Sequence, residues 1–220
     1  MEKELFASSE APRLWNVSPE PKDSPWGPVQ HAEQVAPGIW SVGTAGHGGI
    51  MLSIERNAAM PECLRRKNGC YEEDCEWALV ALFYKDEFDT LRPWQIKQGV
   101  TETHYVGAIK SAKDWHPDEY QRFTGETLSV EESFILRVRK FDDDNADNLV
   151  VLAAWGDWAQ FVPTGMVGIV ARQGGRSKHA TGPERWFLVP KDEYEGRSAH
   201  FVVDPSRHQE ITEPPQNARA

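Results

Sequence analysis

The feature that most limits what this chain can fold into is a change of period at Asp142-Asp143-Asp144-Asn145. Before it, apolar residues recur at helical spacing. After it come four short apolar or β-branched runs, Leu149 to Trp155, Met166 to Arg172, Arg185 to Val189 and His200 to Val203. Turn signals separate them, at Val162-Pro163-Thr164-Gly165 and at Gln173-Gly174-Gly175-Arg176-Ser177, which is the pattern of antiparallel strands. A helical block followed by a strand block, without regular βα alternation, specifies an α+β fold. The expected architecture is an N-terminal β-hairpin, central helices and a C-terminal antiparallel sheet packed in one core.

Ile39 to Thr44 alternates at strand period, and Ile50-Met51-Leu52-Ser53 is a second short strand. The glycine-rich Gly46-His47-Gly48-Gly49 between them reads as a hairpin turn with His47 at its tip. Ser53 to Asn57 starts a short helical turn ending near Pro61. Glu72-Glu73-Asp74 is expected to open a helix over 73–91, with Trp77, Val80, Ala81, Tyr84 and Phe88 as its apolar stripe. Further helices are expected over 101–113, over 117–123 with Pro at the first turn, and from the capping-box pattern at Ser129 to about Phe141. Residues 1–33 carry five prolines at 12, 19, 21, 25 and 28 and read as an arm; Trp15 and Trp26 in it need a surface to dock on. The single domain then spans 34–204, with a sub-boundary at 142–148, and 205–220 reads as a polar, fraying tail.

The net charge of −10 is shared evenly, 11 basic and 16 acidic groups in residues 1–110 and 13 and 18 in the rest. No basic half exists to release counterions from a phosphate backbone, which argues against duplex binding. An acidic surface is better matched to a basic protein. Cys63, Cys70 and Cys75 are an odd set whose spacing fits neither a disulfide framework nor a zinc knuckle. Cys63 and Cys70 lie near basic residues able to lower a thiol pKa. The charged start, Met1 to Phe6, is unlike a signal peptide, and no apolar run approaches a membrane span. A cytoplasmic protein is expected, without cofactor or metal.

Three constellations carry possible chemistry. His47 with Glu55 and the Glu72, Glu73, Asp74, Glu76 cluster has the residue types for a metal-assisted or His-based hydrolytic site. It lacks any metal-ligand spacing, so the bland alternative is a hairpin cap beside a solvated helix start and a surface Glu55–Arg56 pair. An imidazole found within coordinating reach of those carboxylates would favour the hydrolase. Arg172 to His179 is a basic, glycine-containing hairpin tip; Arg176 and Lys178 there could hold a phosphate, provided a pocket exists. Trp155-Gly156-Asp157-Trp158 is the third, a recognition surface or a lid over the end of the sheet.

Several strings resemble an uncharacterised family, a domain of unknown function found in proteobacteria, their phages and integrative mobile elements. They are Ala36-Pro37-Gly38-Ile39-Trp40 through His47-Gly48-Gly49-Ile50, Glu55-Arg56-Asn57, Glu72-Glu73-Asp74 with Glu76-Trp77-Ala78, and later Ala154 to Trp158, Gly165 to Gly168 and Phe187 to Pro190. The resemblance implies an accessory gene product, sometimes one that blunts host defences, and no reaction. Together with the acidic charge and the lack of a complete catalytic motif, it leads to one expectation: a non-enzymatic protein that binds a host protein or a nucleic-acid-processing complex, as an anti-defence inhibitor. The metal- or His-dependent hydrolase centred on His47 is the rival.

Overall fold

The computed structural model describes residues 14–91, 93–197 and 200–219; the first thirteen residues of the expected arm lie outside them. The chain divides into two compact units, through Leu136 and from Arg137 onward, so the division falls inside a helix, a little before the acidic break at 142–145.

The first unit is built on an antiparallel sheet of order β3-β4-β5-β6: β3 (His31–Ala36), β4 (Ile39–Gly43), β5 (Gly48–Leu52) and β6 (Cys70–Glu72). The expected β4–β5 hairpin is present, Trp40 facing Met51 and Gly43 facing Gly48. A two-residue pair, β1 (Asp23–Ser24) and β2 (Gly27–Pro28), precedes it. After β5, α1 (Ile54–Ala59) starts where predicted, Ser53 Oγ accepting from the Arg56 amide at 3.1 Å.

The expected helix over 73–91 is shorter and broken. Glu72 belongs to β6, pairing opposite Gly49, and Glu73 to Glu76 form a turn. The helix proper is α2 (Trp77–Phe83), with no acidic residue in its first turn. Residues Ala78 to Leu82 are all buried: a run that is apolar on every side is enclosed on every side, and the expected single stripe gives way to a central rod. Tyr84 ends it (φ −93°, ψ 51°), its hydroxyl donating to the Arg56 carbonyl at 2.6 Å, and α3 (Lys85–Phe88) restarts the chain. Then follow α4 (Pro93–Lys97), α5 (His104–Trp115) and α6 (Pro117–Thr124), with Pro117 at the first turn and Gly125 left-handed at the end. The Ser129–Glu132 capping box is made, but around a single 3₁₀ turn (Val130–Glu132), and α7 (Phe134–Asp144) begins after it.

The second unit is a five-stranded antiparallel sheet of order β10-β7-β8-β9-β11: β7 (Leu149–Trp155), β8 (Met166–Gln173), β9 (Thr181–Pro190), β10 (Val202–Val203) and β11 (Gln209–Ile211). A short α8 (Lys191–Glu195) follows β9. The first three predicted runs are strands throughout, and of the fourth, His200 to Val203, only Val202–Val203 is. The region read as a fraying tail supplies a fifth: Glu210 pairs opposite Phe187, and Arg185 forks onto the Glu210 carboxylate at 2.8 and 2.6 Å. Strand alternation divides the sheet into two apolar faces, Val167, Ile169, Ala171, Phe187 and Val189 on one, Val162 and Leu188 with Trp155 on the other.

The fold is therefore α+β as predicted, with an N-terminal hairpin, central helices and an antiparallel sheet. The expected single core resolves into separate clusters, one in the first unit joining Ile39, Ile50 and Tyr71 to Leu79, Ala108 and Tyr120, and two in the second. Among the described residues, no helix is long and apolar enough to cross a membrane.

Candidate ligand cleft of the first unit

The β4–β5 turn is fixed by its own polar atoms. Thr44 Oγ1 donates to the His47 carbonyl at 2.7 Å and accepts from the His47 amide at 3.2 Å. His47 projects from the tip, its side chain 62% exposed. Two glycines follow because the neighbouring strand comes close. A Cβ on Gly48 would lie 2.5 Å from Glu73 Oε2, and one on Gly49 would lie 2.2 Å from the Tyr71 carbonyl oxygen and 2.6 Å from the Trp26 ring. The absence of side chains at 48 and 49 lets β6 bring Glu72, and the turn after it Glu73, up to the imidazole.

His47 Nδ1 lies 3.7 Å from Glu72 Oε1, and ligand atoms of His47, Glu72 and Glu73 all lie within 4.8 Å of one another. Glu72 Oε2 accepts from the Asp74 amide at 2.7 Å, while Oε1 is buried without a hydrogen-bond partner among the described residues. Bonds of about 2.1 Å at a tetrahedral angle hold two ligand atoms about 3.4 Å apart, so this spacing is compatible with a shared cation.

The other members of the predicted constellation go elsewhere. Glu55 heads α1, beyond the far end of β5, which at about 3.4 Å per residue separates it from His47 by roughly 17 Å; it accepts from Asn16 Nδ2 at 3.1 Å. Asp74 is exposed in the turn and is not one of the three grouped residues. Glu76 accepts from Arg66 Nε at 2.7 Å and from the Glu72 amide at 3.3 Å, and is not one of the three grouped residues.

Beside Glu73 opens a cleft of about 320 Å³ between the sheet and the helices. Glu33 from β3, Glu73 from the turn and Glu87 from α3 place carboxylates around it, and no lysine or arginine is among the described residues that line it. Its floor is Val42 and Ile50 with Trp77 and Phe88; His104 and Gln95 supply polar groups, their side-chain nitrogens 3.2 Å apart. Glu87 also receives Arg56 Nη1 at 2.6 Å. Sequence reading found Glu73 and missed Glu33, Glu87, Gln95 and His104. They come from four elements between residues 31 and 115, and no local spacing relates them.

A family model described as a domain of unknown function, DUF7007, matches residues 19–146, more than half of the 220-residue chain. The chain belongs to the DUF7007 family. No curated protein and no solved structure matches it. The cleft and the His47 group lie within the DUF7007 match.

The remaining predicted site residues of this DUF7007 protein lie in the second unit. Trp155 stacks on Trp186, ring centroids 5.0 Å apart, and Arg176 donates to the Leu152 carbonyl at 2.7 Å. Trp158 is 64% exposed and folds against Gly156, Asp157 is exposed in the same turn, and Lys178 pairs with Asp143 at 3.3 Å. The thiols give no nucleophile at Cys70 or Cys75: burial pushes the pKa of both up, and nearby Glu72 pushes Cys75 further. For Cys70 this reverses the expectation drawn from neighbouring basic residues in the sequence.

Proposed function

We propose that this DUF7007 protein is a binding protein whose acidic cleft receives a cationic group, the side chain of a basic partner. In its fuller form the proposal is an accessory protein of phage or mobile-element type, acting in the cytoplasm by occupying a host protein or nucleic-acid-processing complex, as an anti-defence inhibitor. The observation that carries it is the cleft itself: Glu33 and Glu73, with Glu87 already paired to Arg56, stand around an apolar, tryptophan-bearing floor. A lysine or arginine stem suits such a floor, its head the carboxylates, and Trp77 adds a ring face for the cation. The net charge of −10 favours encounter with basic surfaces.

The test is capture at low salt from a host lysate, and titration with an oligolysine peptide, using the wild-type chain and the Glu33→Lys/Glu73→Lys variant. Wild type should hold a specific basic partner that salt releases, and the variant should lose both partner and peptide. Recovery of no specific partner, or equal retention by the variant, overturns the reading.

The metal-dependent hydrolase remains as a second reading, favoured by the approach of His47, Glu72 and Glu73. Three protein ligands leave open positions for water and substrate, as catalytic sites require. It stands second because the imidazole is 62% exposed and Glu55 has left the set; a reacting centre is better served where water is excluded. Equilibration with zinc or manganese followed by gel filtration and elemental analysis decides it: one retained equivalent, lost in His47→Ala, supports the site, and no retained metal removes it.

A further inference from the structure

The second unit holds a feature that the first-unit cleft does not explain. On the Trp155 face of the five-stranded sheet lies a concavity of about 390 Å³, lined by Arg172, Arg176 and Arg219 together with Trp155, Trp186 and Glu184. In a chain of net charge −10, three guanidinium groups meet here against one lining carboxylate. The volume lies within the range of small-molecule sites, about 300–1,000 Å³.

Arg172 and Arg176 are held in place by carbonyl oxygens, which orient a guanidinium without neutralising it, whereas Arg219 is paired with the Glu213 carboxylate. Arg172 donates through Nε and Nη2 to the Gly175 carbonyl at 3.2 and 3.1 Å, and Arg176 through Nη2 to the Leu152 carbonyl at 2.7 Å. Neither has a carboxylate partner among the described residues. Arg219 donates to the Pro214 carbonyl at 2.9 Å and to Glu213 at 2.6 Å, and lies 4.4 Å above the Trp186 ring. The turn that presents Arg176 is made by Gly174 and Gly175 at φ +69° and +60°, a left-handed pair that other residues adopt only with strain. Arg176 thereby reaches back across β7 from the end of β8.

We propose that this concavity binds the phosphate of a nucleotide, with the nucleotide's base against Trp155. Pre-oriented guanidinium groups are the side chains best matched to phosphate oxygens, and the indole walls lower the local dielectric and so strengthen the attraction. Trp155 is half-buried, its ring backed by Trp186, and a braced aromatic ring is a platform for any base. The nucleotide is either free or a unit of a single strand; the chemistry recognised is the same.

The experiment is a titration of the full chain with adenosine monophosphate, with a short oligothymidylate and with adenosine, followed by calorimetry at two salt concentrations. Saturable binding of the monophosphate or the oligomer is expected, with adenosine much weaker, and Arg176→Gln should weaken it about tenfold. Arg219→Gln, from a different element, should weaken it similarly, and a thermal melt of each variant reports its folding. Tighter, steeply salt-dependent binding of the oligomer assigns the site to single strands, and preference for the monophosphate assigns it to the free nucleotide. No saturable binding of either, binding that both variants retain in full, or adenosine binding as tightly as its phosphate overturns the proposal.

Discussion

Arg56 shows how much a single side chain can carry. Only 1% of it is exposed, yet it is a full charge, and two of its nitrogens have partners: Nη1 donates to Glu87 at 2.6 Å and Nε to the Pro37 carbonyl at 2.9 Å. Its flat group lies in the corner made by two nearly perpendicular rings, 4.1 Å from the Trp15 centroid and 4.6 Å from that of Tyr84. Trp15, expected to need a surface to dock on, has found one here. Gly38, at φ +77°, leaves room for the arrangement, since a Cβ there would lie 2.9 Å from Arg56 Cγ. Burial pushes the Tyr84 hydroxyl up to about 12, so it remains a proton donor to the Arg56 carbonyl throughout the ordinary pH range. Replacing Arg56 by Met should cost roughly 3 kcal/mol, because Glu87 is left unpaired beside a buried apolar group. The double variant Arg56→Met/Glu87→Gln should recover part of that loss in urea unfolding. A loss below about 1 kcal/mol for the single change, as at an exposed pair, would show that the sequence-based surface Glu55–Arg56 pairing was nearer the truth.

At the level of elements, the junction of α5 and α6 makes a definite pH prediction. His116 joins the two helices, its Nδ1 4.0 Å from Glu119 and its Nε2 buried without a hydrogen-bond partner among the described residues. Burial holds its pKa below the ordinary 6.5, opposed by Glu119, with Arg66 lowering it and Glu76 raising it by smaller amounts. In the unfolded chain the same imidazole titrates at its ordinary value, so protonation favours unfolding. Stability is therefore full above pH 6.5 and falls as the pH drops from 6.5 through the lower folded-state value. His116→Gln should flatten this part of the melting-temperature profile relative to wild type. Parallel profiles for the two proteins would exclude His116 as the source. Arg65, Arg66 and Lys67 are three successive cations in the loop after α1: Arg65 donates to the Met60 and Ala58 carbonyls, and Arg66 joins Glu76 and, in α6, Glu119. Two of these three cations stitch a loop to its neighbours and are not offered as a docking patch.

For the molecule as a whole, the sequence by itself determined the class and sequence of elements. Alternation marked β4, short apolar runs between turn signals marked β5 and β7 to β9, a capping serine marked α1, and proline marked the start of α6, because these signals act between residues a few positions apart. It also marked Gly48 and Gly49 as unusual, although not what they make room for. Only the tertiary structure decided where the acidic run went. Glu72 gained a strand partner in Gly49, which moved it out of the expected helix and beside His47, while the length of β5 carried Glu55 away. It likewise decided that Gln209 to Ile211 is an edge strand, since a short polar segment becomes a strand only when β9 offers it an open row of backbone groups. The two concavities belong to that second category. Glu33 and His104, or Arg172 and Arg219, are neighbours in space through sheet pairing and helix packing, and separations of tens of residues leave no periodic trace from which a cleft can be read.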